Sequence, residues 1–233
     1  MNETFIAILI VTIYFSPVFY QLVIVIKESK KGNRIPLRKF LKVLKYSLFI
    51  LIPITIVFAI LSHTNYLNYE KPLTYDKFEQ ITFKNFRGLE FFRNSLYGNK
   101  HFAYVVTSIE SKIDKDSITV KSLFYPSRSY VYNTYTNSKE LLKHEKYHIK
   151  ITELYARKAK KRLSELKHIS PQTIEEILKQ TRQEERAFQK SYDYDTFHSY
   201  VLSEQIKYER KVDSMLSLLT EFKNPKIKIN DEN

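Results

Sequence analysis

The chain has 233 residues, no cysteine and a formal net charge of +13. Without cysteine it can form neither a disulfide nor a thiolate metal site. The basic charge alone would suggest a nucleic-acid partner, but no recognised nucleic-acid-binding motif is present, and the position of the charges matters more than their sum.

Two uncharged segments near the N-terminus predict a membrane hairpin over residues 1–62. Residues 5–26 and 46–62 contain no charged side chain, and at 22 and 17 residues they are long enough, the second only just, to cross a bilayer. The first segment has no basic start and no small-residue cleavage site, so we expect it to be retained rather than removed as a signal peptide. A lipid bilayer is therefore a predicted partner.

The connection between these segments is strongly basic. Residues 27–45 contain eight Lys or Arg and one Glu. The positive-inside rule places such a loop in the cytoplasm, which puts residues 63–233 on the opposite side of the membrane. Topology and contact with anionic headgroups account for the basic charge of the loop, so we expect no nucleic-acid partner.

The first half of residues 63–233 has the composition of β-strands. Residues 81–86, 102–109 and 117–125 are rich in aromatic and β-branched side chains, and residues 114–116 form a plausible hairpin turn between the last two. Residues 130–135 predict an edge strand, which could hold a peptide by strand addition.

The second half predicts three helices. The first should run from about residue 138 to about residue 167, with Asn137 in a capping-box-like start. Ser170-Pro171 is a good start for the second helix. The third covers residues 201–219, and residues 223–233 are expected to form a polar, frayed tail.

The motif H-E-x-x-H lies inside the first of these helices, at residues 144–148. Helical spacing puts His144 and His148 on one face, one turn apart, so both imidazoles can reach one metal ion. Glu145 is rotated by about 100° from His144, where it can act on metal-activated water instead of binding the metal. Neutral imidazoles suit Zn²⁺, which is the predicted cofactor. The alternative is a charged helix face with two incidental histidines.

A catalytic zinc needs three protein ligands and an open position for water. Ile151 and Leu154 stand where a metzincin has its glycine and third histidine, which excludes that class. Glu153 lies about 180° around the helix from His144, so it suits a buried orienting or salt-bridge role better than ligation. The remaining candidates lie in residues 192–198, whose alternative role is to cap a helix.

Three stretches carry a resemblance to a known family: LTYxxF at 73–78, LLKHExxHIxIxExYAR at 141–157 and YDxxTxH at 192–198. Together they resemble the bacterial family called domain of unknown function 922, predicted zinc-dependent peptidases common in Bacteroidota. The resemblance covers most of residues 72–215. The family has glycine where this chain has Ser199.

The residues and the resemblance together predict an α+β protein. A two-helix transmembrane hairpin (residues 1–62) precedes a zincin-like domain (residues 63–233) with a small antiparallel sheet and three main helices. The expected activity is hydrolysis of a peptide or protein substrate. The expected location is the bacterial inner membrane, with two spans and the larger domain facing the periplasm or exterior.

The predicted site has three zinc ligands, one general base and three orienting residues. In that order these are His144, His148 and His198; Glu145; and Glu153, Asp193 and Asp195. Two alternatives stay open: a non-catalytic, zinc-stabilised membrane sensor or interaction domain, and a structural membrane protein in which the motif is accidental. No feature of the sequence indicates an oligomeric state.

Overall fold

The structure, a computed structural model, describes six stretches of the chain. These are residues 3–64, 66–89, 103–114, 117–132, 138–166 and 170–228. The chain divides into two units, Met1–Ile60 and Leu61–Asn233.

The first unit consists of two long helices, α1 (Glu3–Ser29) and α2 (Ile35–His63). Both are long and apolar enough to cross a membrane, as the two uncharged segments predict. Gly32, in the turn between them, has a φ of 77°, a left-handed conformation that glycine adopts without a steric cost. The Tyr14 hydroxyl donates a hydrogen bond of 2.7 Å to the Ser47 carbonyl and so ties the two helices together.

The second unit is mixed α/β, as predicted, and contains three long helices and six short strands among its described residues. The helices are α3 (Lys139–Ser164), α4 (Pro171–Thr196) and α5 (Leu202–Leu218). The strands are β1 (Leu73–Thr74), β2 (Ala103–Tyr104), β3 (Thr107–Asp114), β4 (Ser117–Phe124), β5 (Tyr130–Val131) and β6 (Lys226–Lys228).

A small antiparallel sheet is centred on β4. β3 pairs with one edge of β4 over its whole length, from Thr107 opposite Phe124 to Asp114 opposite Ser117, which confirms the predicted pairing of these neighbours. The turn residues 115–116 lie outside the described residues. β1 and β6 pair with opposite ends of the other edge of β4. A second sheet pairs β2 with β5.

Side-chain caps start the two helices that matter most for the site. Ser138 caps α3 by accepting a hydrogen bond from the Leu141 amide at 3.2 Å, whereas Asn137, the predicted cap, lies outside the described residues. Ser170 caps α4 by accepting from the Thr173 amide at 3.1 Å, as predicted. Such caps satisfy amides that have no partner inside the helix.

α3 is the central helix of the second unit, because it contacts β3, β4, α4 and α5. Its side chains Ile151, Leu154, Ala159 and Leu163 have no exposed surface. They pack in a core with side chains of the sheet, α4 and α5. The position of every residue on α3 is therefore fixed by packing from several sides.

The prediction of a strand at residues 81–86 is wrong. Phe83–Asn85 form a short 3₁₀ turn instead, because Thr82 and Asn85 cap each other reciprocally. The Asn85 Oδ1 accepts from the Thr82 amide at 2.9 Å, and such local side-chain bonds compete with a strand ladder. The aromatic residues that suggested a strand, Phe83 and Phe86, are buried in a second hydrophobic cluster.

The strand predicted at residues 102–109 is divided between the two sheets, into β2 and β3. Val106, between them, makes its backbone bonds to a loop: its amide donates to the Ser129 hydroxyl at 2.9 Å, and its carbonyl accepts from the Tyr125 amide at 3.0 Å. These contacts interrupt a continuous ladder. The edge strand predicted at residues 130–135 is present as β5, and residues 133–137 lie outside the described residues.

The tail predicted to be frayed contains a paired strand, so that prediction is wrong for Lys226–Lys228. β6 pairs with β4, with Ile227 opposite Ile118, and Ile227 packs against the main core. The preceding Pro225 carbonyl also accepts from the Val120 amide at 2.7 Å. Burial of one isoleucine and several backbone bonds hold the segment. Residues 229–233 lie outside the described residues.

Candidate metal centre

α3 and α4 pack side by side and run in opposite directions, so the start of α3 lies beside the end of α4. Arg162 near the end of α3 bonds Glu184 in the middle of α4, whereas His144 near the start of α3 meets Asp193 in the last turn of α4. Residues 49 positions apart in the chain therefore meet at one point. The site is built on two rigid helices and not on loops.

Three ligand atoms converge at this point: Nε2 of His144, Nε2 of His148 and Oδ1 of Asp193. The two nitrogens are 3.2 Å apart. The carboxylate oxygen is 3.2 Å from the first and 2.9 Å from the second. Both histidines are buried and Asp193 is partly buried. These three residues form a group that could hold a metal ion.

Asp193 thus stands at the position of a third ligand, although the sequence analysis expects it to orient His198. The imidazole of His198 lies next to it, with Nδ1 3.6 Å from Oδ1 of Asp193. The His198 side chain is 55% exposed, and its ring centre is 6.3 Å from that of His144. The structure brings the predicted ligand His198 to the site, but ligation by His198 stays a prediction.

A left-handed turn holds His198 in this place. Phe197, His198 and Ser199 have φ values of 48°, 51° and 77°, a region that costs a non-glycine residue roughly 1–2 kcal/mol. The amide of His198 donates to the Asp193 carbonyl at 3.2 Å. The backbone, not the side chain, therefore anchors this residue beside the group.

Glu145 is buried at the same place, with 2% of its surface exposed. Its Oε2 has no hydrogen-bond partner among the described residues. Burial raises the pKa of Glu145 to about 7, against the opposing charge of His148. A buried carboxyl with a free oxygen and a pKa near neutrality is suited to exchange a proton with a ligand.

The three side chains together favour one protonated imidazole, that of His148, beside the ionised carboxylate of Asp193. Burial lowers the pKa of His144 to about 4. Burial also opposes the charge of His148, but the hydrogen bond and charge of Asp193 outweigh it and raise the pKa of His148 to about 9. The pKa of Asp193 lies well below its usual range, because its bonds to both imidazoles outweigh its burial.

Gln189 orients His148, a role that the sequence analysis misses. The Gln189 Nε2 donates to the His148 carbonyl and to Glu185, both at 3.0 Å. Its Oε1 is therefore the acceptor that faces Nδ1 of His148. When His148 loses its second proton, this contact keeps the remaining hydrogen on Nδ1 and leaves the lone pair of Nε2 facing the group. Histidine ligands commonly donate their other N–H in this way.

A sequence signal for this support exists. Glu185, Gln189 and Asp193 follow one another at intervals of four on α4, so they share one face. Glu185 is held by Thr152 of α3, whose hydroxyl donates to it at 2.8 Å. The ring of Tyr192 stacks on that of His144 at 4.5 Å between centres. The spacing of these three polar residues, one helical turn apart, is the sequence signal for the support of His148.

The other two predicted orienting residues lie elsewhere. Glu153 forms a buried ion pair with Arg157 at 2.8 Å and accepts from the Ser122 hydroxyl at 2.6 Å. It is therefore the salt-bridge residue that its position on the helix predicts. Asp195 accepts from the Tyr208 hydroxyl at 2.5 Å. Neither residue belongs to the metal-binding group.

A cavity of about 290 Å³ opens beside the group. Glu145, His148, Asp193 and His198 line it. One wall is the segment Ala103–Thr107, and the other is the face of α4 that carries Glu185, Arg186 and Gln189. A ligand in the cavity would lie between a strand and a helix, in contact with the carboxyl of Glu145.

We predict that Asp193→Asn lowers the affinity for Zn²⁺ by more than about 100-fold, because it removes the charged ligand oxygen. His198→Ala should lower the affinity by about 10–100-fold, the usual effect of a residue that supports a ligand. Chelator competition on the full chain in detergent measures both. Asp195→Asn is the matched control and should leave the affinity unchanged. If His198→Ala abolishes binding and Asp193→Asn keeps it, His198 is the third ligand.

We also predict that Zn²⁺ binding at pH 8 releases about one proton per ion, because His148, with a pKa of about 9, must lose its proton to bind metal. Below that pKa the affinity should fall by about tenfold per pH unit. Calorimetric titration in buffers of different ionisation enthalpy counts the released protons. Release of none would show that His148 is already neutral or is not a ligand.

Comparison with protein-family models, curated proteins and solved structures finds no match to this chain. The resemblance to the domain of unknown function 922 family therefore stays a prediction. The functional proposal rests on the geometry of the site.

Proposed function

We propose that the chain is a membrane-anchored, zinc-dependent peptidase. The observation that carries the proposal is the place of Glu145. This buried carboxyl has one oxygen without a hydrogen-bond partner in the described part of the chain. It lines the same cavity as His148 and Asp193 of the metal-binding group. Hydrolysis needs both a metal site and a group that takes the proton of water, and the two are adjacent here.

The distances within the group suit zinc. Bonds of about 2.0–2.1 Å in a tetrahedron place two ligand atoms roughly 3.3–3.4 Å apart. The three observed separations are 2.9, 3.2 and 3.2 Å, so a small outward shift accommodates the ion. Two imidazoles and one carboxylate form the donor set of several catalytic zinc sites. The same set also suits Fe(II), but the adjacent Glu145 favours hydrolysis.

Each residue of the site would have a separate role in hydrolysis. Zinc, when bound, supplies a Lewis acid that activates water and polarises a carbonyl. Glu145 takes the proton from the attacking water and delivers it to the leaving amine. Gln189 holds His148 with its Nε2 toward the group. Burial of Glu145 keeps its pKa near neutrality, so it can take and give a proton at physiological pH.

A peptide fits the cavity because one wall is extended backbone. Ala103–Thr107 line that wall, and an extended peptide aligns with extended backbone in strand addition. The composition of residues 130–135 predicts this contact there. However, β5 pairs with β2 and does not line the cavity. We therefore propose the segment that begins with β2 instead. The arrangement of α3 against β3 and β4 is also compatible with a zincin-like fold.

The two N-terminal helices would anchor the protein in the bacterial inner membrane. The eight-to-one excess of basic residues in 27–45 supports a cytoplasmic loop, with the metal-binding domain in the periplasm or outside the cell. The substrate would then be a peptide or protein on that side. The alternative of a non-catalytic zinc-stabilised sensor domain predicts metal binding without hydrolysis.

We predict that Glu145→Gln keeps stoichiometric zinc but lowers hydrolysis of a mixed quenched-fluorescent peptide pool by at least about 100-fold, the usual scale of acid–base catalysis. Metal content and cleavage are measured on the full chain in detergent. The matched control is Glu140→Gln, an exposed position in the first turn of α3, which should retain activity. Loss of zinc from Glu145→Gln would make Glu145 a ligand, and no cleavage by the unaltered chain would favour the sensor.

We predict that residue 65 is accessible from outside the inner membrane and that residue 30 is not. Because the chain has no cysteine, single replacements Asn65→Cys and Lys30→Cys can be labelled without background. Impermeant maleimide should label the first in intact spheroplasts and the second only after lysis. The reverse pattern would invert the topology and place the metal site in the cytoplasm.

A further inference from the structure

Arg186 is the one Lys or Arg among the described residues that line the metal cavity. It lies on α4 with its side chain exposed. Its Nε donates to the Arg182 carbonyl at 3.2 Å, and no acidic side chain in the described part of the chain forms an ion pair with it. The outer edge of the guanidinium is therefore available to a ligand.

The carboxylates that share the cavity are already engaged or buried. Glu185 accepts from Thr152 and Gln189, and Asp193 lies between two imidazoles. Two arginines elsewhere in this helix pair do have acidic partners. Arg157 pairs with Glu153, and the Arg162 guanidinium bonds both oxygens of Glu184 at 3.0 and 2.7 Å. Arg186 differs from these two in lining the cavity without an ion-pair partner among the described residues.

The position of Arg186 relates it to the metal-binding group. Arg186, Gln189 and Asp193 are spaced three and then four residues apart, so they lie on one face of α4. Arg186 and Asp193 are seven positions apart on the helix, about 10 Å along its axis at roughly 1.5 Å per residue. An extended peptide covers that distance in about three residues. A group bound by Arg186 would thus lie within about three residues of the carbonyl at the metal.

We propose that Arg186 selects peptides that carry a carboxylate within about three residues of the scissile bond. The planar guanidinium binds a carboxylate through two parallel hydrogen bonds, which a neutral amide cannot match. The carboxylate can be an Asp or Glu side chain or the free C-terminus of the substrate. This proposal rests on the proposed peptidase function, because it assigns the substrate class of the same site.

The test is peptide retention by the zinc-loaded full chain in detergent, immobilised and carrying Glu145→Gln so that bound peptides are not consumed. The probes are acetylated, amidated octapeptide pools in which one position at a time is fixed as Glu or as Gln. A second set compares a free C-terminal carboxylate with the amide. Mass spectrometry quantifies the retained peptides. At one or more positions, or at the free C-terminus, retention of the carboxylate form should exceed that of its neutral match by about tenfold.

The added substitution Arg186→Gln should reduce this ratio to near one while zinc content stays at one ion per chain. Arg186→Glu should reverse the preference, toward pools with Lys fixed at the same position. The matched control is Lys190→Gln, which removes an exposed cation from the same helix outside the cavity lining and should keep the tenfold preference.

Two results would overturn the proposal. One is equal retention of charged and neutral peptides at every position and at both kinds of C-terminus. The other is a preference for carboxylates that survives Arg186→Gln. Cleavage by the chain with Glu145 intact is a separate readout. A carboxylate preference that depends on Arg186, without any cleavage, would refute the peptidase and keep Arg186 as the selecting residue.

Discussion

Three electron-rich atoms held within 3.2 Å of one another are the constraint on which this structure depends. Two imidazole nitrogens and a carboxylate oxygen repel one another at this distance in a buried place unless a proton or a cation lies among them. The pKa of His148 is raised and that of Asp193 is lowered because each charged group stabilises the other. A proton lies between two of the three atoms at a time, whereas a metal ion could contact all three.

The packing of α3 against α4 holds these three atoms close together. Polar contacts join α3 and α4 at two further places. Arg162, near the end of α3, pairs with Glu184, and Thr152, in the middle of α3, bonds Glu185. The apolar residues of α3 that follow the motif are packed against the sheet and α5. Packing and polar contacts far from the site therefore keep the three ligand atoms in place, so a metal ion could bind without a rearrangement of the helices.

The sequence could predict what depends on neighbours along the chain and little of what depends on distant contacts. Helical spacing places His144, Glu145 and His148 correctly, and a cap residue locates the start of α4. Asp193 meets the two histidines only because α4 folds back along α3, so periodicity alone cannot distinguish it from the other candidates in residues 192–198. The strand errors have the same origin: at residues 81–86 a local side-chain cap prevails over β-propensity, and at Lys226–Lys228 pairing with a distant strand prevails over polarity.

Asp193 lies at a position in α4 where the helix itself disfavours a negative charge. It lies in the last turn of α4, where the negative end of the helix dipole repels an anion, and no basic residue occupies that turn. The three left-handed residues that follow add a further cost. What compensates is supplied from outside the helix, by His144 and His148 of α3 and by His198 beyond the turn. A folded chain keeps such a local conflict at a functional site, where other contacts offset it. The end of α4 thus contributes one of the three residues, and α3 the other two, of a group that could hold a metal ion.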